Sequence, residues 1–461
     1  MHTDFNAWLT EHRPRRFDLH AKHVNPSFVK MLKTIGFDKE YVRGEGPYLW
    51  DAEGNKYLDL LTGWGVFALG RNHPKVKAIL RQLLDDNSPN LVRMDCSILS
   101  GLVAEKLTSH LPESLSRVFF CNSGTEAVEG AIKFARCYTQ RRDVVYCDHA
   151  FHGLTNGALS VNGADFFRER FGDLLPGTTK VPFNDLVALE RALSGKRAAA
   201  FILEPVQGKT CDVVADGYLV EAQRLCNKYG TLLVVDEVQS GLGRTGKWFC
   251  FQHWPGVEPD IVCTAKALSG GYVPVGAILT KPKIMDCVFN GMERCVVHSN
   301  TFGQNDLAMA AALATLHVIE EDKLIENAAA MGDYVTGELK AMAPACPFVA
   351  DVRGKGLMFG VDFARPKESL KLKMAWDMLH KLNFGVFGQM IIIPLLNEHR
   401  ILSQVAGYHT EVIKFLPPIT VTKDDMDWFL RAFKATLDET LRVPGAAWDT
   451  VAGLAKRAAT A

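Results

Sequence analysis

The stretch from Thr231 to Gly271, TLLVVDEVQSGLGRTGKWFCFQHWPGVEPDIVCTAKALSGG, constrains the fold more than any other part of the chain. Leu232-Leu233-Val234-Val235 is an unbroken apolar run, the pattern of a strand buried on both faces, and it ends in a carboxylate, Asp236. Thirty residues on, the shorter run Ile261-Val262-Cys263 leads to Lys266, with Gly270 and Gly271 close behind. Strand ends are rigid mounts for reactive groups. Two neighbouring strands of this kind hold an acid and an amine at one edge of a sheet.

A fixed acid and a fixed amine suit a cofactor that carries a basic ring nitrogen and an aldehyde. Pyridoxal 5′-phosphate has both: a lysine forms its Schiff base and an Asp pairs with its ring nitrogen. Its phosphate needs donors. Arg117 to Cys121 reads as a strand, Asn122-Ser123-Gly124-Thr125-Glu126 as a turn, and Ala127, Val128, Ala131, Ile132 and Ala135 recur with helical spacing. Strand, small-residue turn and helix point free backbone N–H groups at an anion. Ser123 serves equally well as an ordinary N-cap. Val144 to Cys147 and Ala198 to Leu203 are further strands, leading to Phe151-His152-Gly153 and to Glu204-Pro205. Phe151 can lie on a cofactor ring or simply pack in the core. Strands and helices alternate to about residue 280, which predicts an α/β fold with a mostly parallel sheet and ligands at the strand carboxyl ends.

Gly241-Leu242-Gly243-Arg244-Thr245-Gly246 fits GxGxxG, but a dinucleotide site needs its glycines at the strand–helix turn. Here Glu237 to Ser240 intervene, and Lys247 to Gly256 has no helical period, so a nicotinamide oxidoreductase is disfavoured. With 461 residues the chain is long enough for two domains. Fifty-two acids balance 52 bases, which speaks against nucleic-acid binding. Eleven scattered cysteines without a CxxC pair suggest reduced thiols in the cytoplasm and no metal site. No run approaches the ~18 apolar residues of a membrane span.

Together these motifs resemble the class III pyridoxal-phosphate aminotransferases, of the aspartate-aminotransferase-like fold. The resemblance rests on Asn122–Ala127, Phe151-His152-Gly153, Glu204-Pro205, Asp236–Gly241 with Gly243–Gly246, Ala265-Lys266 and His298–Gly303. It implies a large cofactor domain over about 76–320 and a smaller α+β domain built from 1–75 and 321–461. It implies that Lys266 carries the Schiff base, Asp236 binds the ring nitrogen and Gln239 the ring hydroxyl. Phe151 and Val238 would cover the two ring faces, and Ser123, Gly124 and Thr125 would cradle the phosphate. His152 and Glu204 would stand near the cofactor. Thr301 looks like a phosphate contact given to a second subunit, which implies a homodimer with shared sites. The reaction implied is ping-pong transfer of an amino group from an amine donor to a carbonyl acceptor. A decarboxylase, aminomutase or epimerase of the same fold would keep the same lysine and aspartate.

Three positions depart from the ornithine- and acetylornithine-type members, which use Arg, Glu and Arg where this chain has Leu154, Lys209 and Lys414. Arg and Lys are not equivalent at a bidentate carboxylate site. Leu154 favours an aliphatic amine or aldehyde over an α-amino acid, with Lys414 left as a point charge for a keto acid; the alternative is that another arginine, such as Arg353, takes over. Trp64 sits on a glycine-flexed loop, either as pocket wall or as core. Met390-Ile391-Ile392-Ile393-Pro394-Leu395-Leu396, within the stretch Phe387 to His409, is either the lining of an alkyl-chain entry or a strand with a packed loop. The basic, aromatic segment Asn6 to Arg16 reads as a helical arm, with a lipid-surface contact as the alternative, and Arg442 to Ala461 as a tail or terminal helix.

Overall fold

The structure is a computed structural model and describes residues 4–443 apart from 93, 383–385 and 408–409, together with Gly445 and Trp448. Most of the tail from Arg442 and the end of the Phe387–His409 stretch lie outside the described residues. Trp448 is buried, and its Nε1 donates to the Thr440 carbonyl at 2.9 Å.

The chain opens with helices Phe5–His12, Arg16–His23 and Pro26–Ile35, so the segment read as a helical arm is helical. A meander follows: β1 (Tyr41–Glu45), β2 (Tyr48–Asp51) and β3 (Lys56–Asp59). The central sheet then takes β4 (Arg117–Cys121), β5 (Asp143–Cys147), β6 (Thr178–Val181), β7 (Ala198–Leu203), β8 (Leu232–Asp236), β9 (Ile261–Thr264) and β10 (Gly276–Thr280). Their order across the sheet is β4-β10-β9-β8-β7-β5-β6, and only β10 runs against its neighbours. The sheet is therefore mostly parallel, as the alternating pattern predicts. The last elements are β11 (Val349–Lys355), β12 (Met358–Phe363), β13 (Ile401–Leu402), β14 (Gln404–Val405) and β15 (Val412–Phe415).

Strand β8 shows why the apolar run sits centrally. Leu233 and Val235 face one core with Leu219 and Leu225 of helix Tyr218–Tyr229. Leu232 and Val234 face the other, with Val128, Ala131 and Ala135 of helix Gly124–Thr139. Successive residues serve opposite faces, so a strand covered by helices on both sides has no polar position until it ends. Asp236 is that end, and the register sets it beside Cys263 of β9. The acid and the lysine are thus delivered to one sheet edge, as expected.

The two ends of the chain meet in the smaller sheets. β13 pairs in parallel with β3, Ile401 beside Leu58, and β11-β12-β15-β14 form a separate antiparallel sheet. Helix Lys423–Thr440 covers that sheet, starting at a Thr422/Asp425 capping box and packing Phe429 on Phe415 with ring centroids 4.6 Å apart. The Met390–Leu396 run overturns both sequence readings. It belongs to a helix, Val386–Asn397, with Met390, Ile391, Ile392, Leu395 and Leu396 buried. Apolar on nearly every face, it has neither the period of a surface helix nor that of a half-buried strand. It packs against helix Lys423–Thr440, and its residues line neither lobe of the cavity described below.

The GxGxxG stretch is a packing junction. A Cβ on Gly246, whose φ is 83°, would lie 2.9 Å from Ala329 Cβ on helix Leu324–Met342. Between the glycines, Arg244 is wholly buried and donates to the carbonyls of Leu357 and Pro417. Burial pulls its guanidinium down to about 9. Arg244 thus ties the loop after β8 to the β11–β12 hairpin and to the segment after β15. Arg244→Ala should lower stability by roughly 2–4 kcal/mol, because it opens a cavity and strands two buried acceptors. Scanning calorimetry should register a clear fall in Tm; an unchanged Tm would contradict this role.

Candidate active site

The loops after β4, β5, β7, β8 and β9 meet at one end of the sheet around a two-lobed cavity. One lobe, about 670 Å³, is lined by Ser123, Gly124, Thr125, Phe151, His152, Asp236, Val238 and Lys266. The other, about 300 Å³, is lined by Trp64, Leu154, Glu204, Lys209, Gln239 and Lys414, with Phe167, Gln404 and Ala406. Phe151, Leu154, Asp236, Val238 and Lys266 belong to both. All the site residues expected from sequence therefore reach this cavity except Thr301. Thr301 lies exposed on its own chain and lines neither lobe.

Asp236 is buried and both oxygens are held. Oδ2 accepts from His152 Nδ1 at 2.8 Å, and Oδ1 accepts from the Val238 N–H at 3.0 Å. Burial works against a protonated His152, but its hydrogen bond to Asp236 and the charges of Asp236 and Glu204 outweigh it and raise the imidazole pKa. The shift favours the protonated, donating form of His152 beside Asp236. Glu204 is fixed too, Oε2 accepting from the Phe151 N–H at 2.9 Å and Oε1 from the Gly208 N–H at 2.8 Å. Burial pushes its pKa up, His152 opposes this, and Asp236 adds to it.

Lys266 begins a short 3₁₀ turn, Lys266–Ser269, just past β9. Its φ is 41°, in the left-handed region that costs a non-glycine residue on the order of 1 kcal/mol or more. That strained backbone aims the side chain where the two lobes join. Burial lowers the ammonium pKa, with Asp236 and Glu204 acting the other way. An amine with a lowered pKa loses its proton closer to neutrality and so gains nucleophilicity.

The phosphate end is a helix N-terminus. Ser123 caps helix Gly124–Thr139, accepting from the Glu126 N–H at 3.3 Å, and the first-turn N–H groups have no carbonyl within the helix. A Cβ on Gly124 would sit 2.7 Å from Val238 Cγ1, so only glycine lets the helix start approach the loop after β8 this closely. These residues fit pyridoxal 5′-phosphate. First-turn N–H groups and two hydroxyls face one end, a held carboxylate and an amine line the same lobe, and Phe151 and Val238 give it apolar walls.

The second lobe holds what sequence reasoning missed. Trp64 Nε1 donates to Gln404 Oε1 at 2.7 Å, joining the turn after β3 to β14. Phe167 stands edge-on to Phe151 with centroids 5.4 Å apart. Neither Phe167 nor Gln404 carries a motif; only the tertiary fold brings them in. Arg353 does not reach the cavity. Its guanidinium is held by Asp212 and Asp362 at 2.8 Å each and by Asp351 at 3.3 Å. It therefore cannot stand in for the missing arginines.

The sequence profile of the aminotransferase class-III family matches residues 36–437. Aminotransferase PigE of Serratia sp. (strain ATCC 39006) is 34% identical over 458 residues, covering 93% of this chain and 54% of that protein. The chain thus spans about half the length of that relative. An ornithine aminotransferase from Toxoplasma gondii, whose structure shows partial occupancy of pyridoxal phosphate at its active site, superposes with a TM-score of 0.79 at 28% identity. That superposition covers 96% of this chain and 100% of the other. A thermostable (S)-enantioselective omega-transaminase from Thermomicrobium roseum gives a TM-score of 0.77 at 30% identity, over 90% of this chain and 95% of that one. By the span of the family match, and by a cavity whose residues suit the cofactor, this chain belongs to the class III aminotransferases, enzymes that work with pyridoxal 5′-phosphate.

Proposed function

We propose that the chain is an omega-type transaminase, moving an amino group from an amine with an aliphatic body to a keto acid or aldehyde. The observation that carries this reading is the wall beside Lys266: Leu154 stands there, and no arginine lines either lobe among the described residues. An α-amino acid would find no bidentate partner for its carboxylate. The resemblance to an omega-transaminase points the same way.

Bound pyridoxal phosphate supplies the aldehyde that takes up the donor amine and a ring that draws in electrons. In the proposed assignment the first-turn N–H groups of Gly124 and Thr125, with the Ser123 and Thr125 hydroxyls, bind its phosphate. Asp236, held by His152 and the Val238 N–H, pairs with the ring nitrogen, and Phe151 and Val238 confine the ring. Gln239 gives one amide hydrogen to the Trp64 carbonyl at 2.9 Å and has a second to offer the ring hydroxyl. Lys266 Nζ takes the proton from the amine-bearing carbon of the donor and returns it on the other side of the transfer, as a general base and then a general acid. The product carbonyl leaves before the acceptor enters, so the kinetics are ping-pong. Trp64, Leu154, Lys209 and Lys414 form the substrate wall.

We further read the active form as a homodimer, in which Thr301 reaches the partner's phosphate site. Exposed apolar residues Met292, Val296 and Phe302 on the same segment support a covered surface there. Residues 76–320 are read as the cofactor domain, flanked by the small domain from 1–75 and 321–461. A cytoplasmic location is consistent with eleven free thiols.

Lys266→Ala should cut turnover by roughly 10³-fold or more while the protein still folds, as circular dichroism will show. Full activity in that variant would refute the assignment. Leu154→Arg should lower kcat/KM for hexylamine relative to alanine by about 10-fold; an unchanged ratio would count against the apolar wall.

Lys414 generates a pH prediction. Burial pulls its ammonium down to about 8; Cys211 and Glu204 oppose this, while Lys209 and Lys266 add to it. The unfolded chain, with an ordinary lysine near ~10.4, binds that proton more tightly. Between these two values the folded state gains stability as pH rises. Wild type should therefore gain Tm relative to Lys414→Met from about pH 8 to 10. Parallel Tm profiles would disprove it.

A further inference from the structure

We propose that Lys209 receives the carboxylate of the acceptor, and that the acceptor is a 2-oxo acid with a single carboxylate. This rests on the transaminase reading above and names the group that selects its second substrate.

Two lysines besides Lys266 face the substrate lobe, and their situations differ. Lys414 Nζ is buried and already donates to the Gly208 carbonyl and to Gln239 Oε1, the latter at 3.1 Å. Its work is to hold the Gln239 amide, whose nitrogen reaches back to the Trp64 carbonyl. Lys209 has no such partner. Its ammonium makes no hydrogen bond or ion pair among the described residues, and it lies over the rings of Phe151 and Phe167, 4.4 and 4.6 Å from their centroids. Ring faces attract a cation weakly and leave its N–H groups free to donate. The acid whose charge acts on it is Glu204, and each oxygen of Glu204 already accepts a backbone N–H.

The charges around the lobe also ask for an anion. Lys209, Lys266 and Lys414 stand close enough to repel one another. The two carboxylates, Asp236 and Glu204, are both held by other groups. A carboxylate entering beside Lys209 relieves that repulsion and meets a donor that pays little to leave its rings. One available ammonium serves one carboxylate. A dicarboxylic acceptor would need a second cation, and Lys414 and Arg353 are both engaged elsewhere.

The test compares acceptors with and without the charge. In holoenzyme, kcat/KM for pyruvate divided by kcat/KM for butanal should fall roughly 10- to 100-fold in Lys209→Met, the range for losing a hydrogen bond to a charged group. Lys209→Arg should restore most of the ratio. Calorimetric titration with propionate, which cannot react, should show binding to wild type and to Lys209→Arg that Lys209→Met loses. Because the titration needs no turnover, it separates the carboxylate site from the transaminase reading. An enzyme that binds propionate through Lys209 but transfers no amino group would overturn only the function proposed above. An unchanged acceptor ratio in Lys209→Met, a larger fall in Lys414→Met, or no propionate binding by wild type would overturn the role of Lys209.

Discussion

The hydrogen bond from His152 to Asp236 is the contact on which the site depends. A carboxylate closed off at a strand end pays a heavy desolvation cost and neutralises unless a charge and donors compensate. His152, whose pKa is raised, supplies one donor, and the Val238 N–H supplies another. The bond also spans the sheet. His152 follows β5 and Asp236 ends β8, with β7 between them. β7 ends in Glu204, which accepts from the Phe151 N–H next to His152. Three strand ends are thereby locked into one polar unit, and Lys266 on the fourth is aimed at it.

Much of this was legible in sequence because each part had a local signature. An apolar run ending in Asp, a small-residue turn before a helical period, and a short strand before a lysine are each set by neighbours along the chain. Their spacing then fitted a known family. What escaped was non-local. His152 was noted, but nothing along the chain says that it bonds Asp236 from the next strand but one. Gln404 and Phe167 enter the cavity only through tertiary packing. The Met390–Leu396 run failed for another reason: an element apolar on nearly all faces has lost the period that separates helix from strand.

The substrate lobe is assembled from all three sheets, unlike the cofactor lobe. Trp64 follows β3, Gln404 lies in β14, Lys414 in β15, and Gln239 follows β8. Their hydrogen bonds form a chain: Lys414 to Gln239, Gln239 to the Trp64 carbonyl, and the Trp64 indole to Gln404. Arg244 anchors the same β8 loop to the carbonyls of Leu357 and Pro417. The geometry of this lobe is therefore coupled to how the small sheets sit on the large one. A substitution at the Arg244 junction, far in sequence from Trp64, should reach the substrate through this chain before it reaches the cofactor.

Exchanging arginine for lysine at position 414 changes more than geometry. An arginine would keep its charge however deeply it was buried here, and would need an acid to cover it between half-reactions. Lysine can shed its proton when crowded, and Lys414 stands beside Lys209 and Lys266. Burial and that crowding together lower the charge of Lys414 and leave Lys209 as the ammonium free to meet an anion. The two lysines therefore belong together, because the charge of Lys209 bears on the protonation of Lys414.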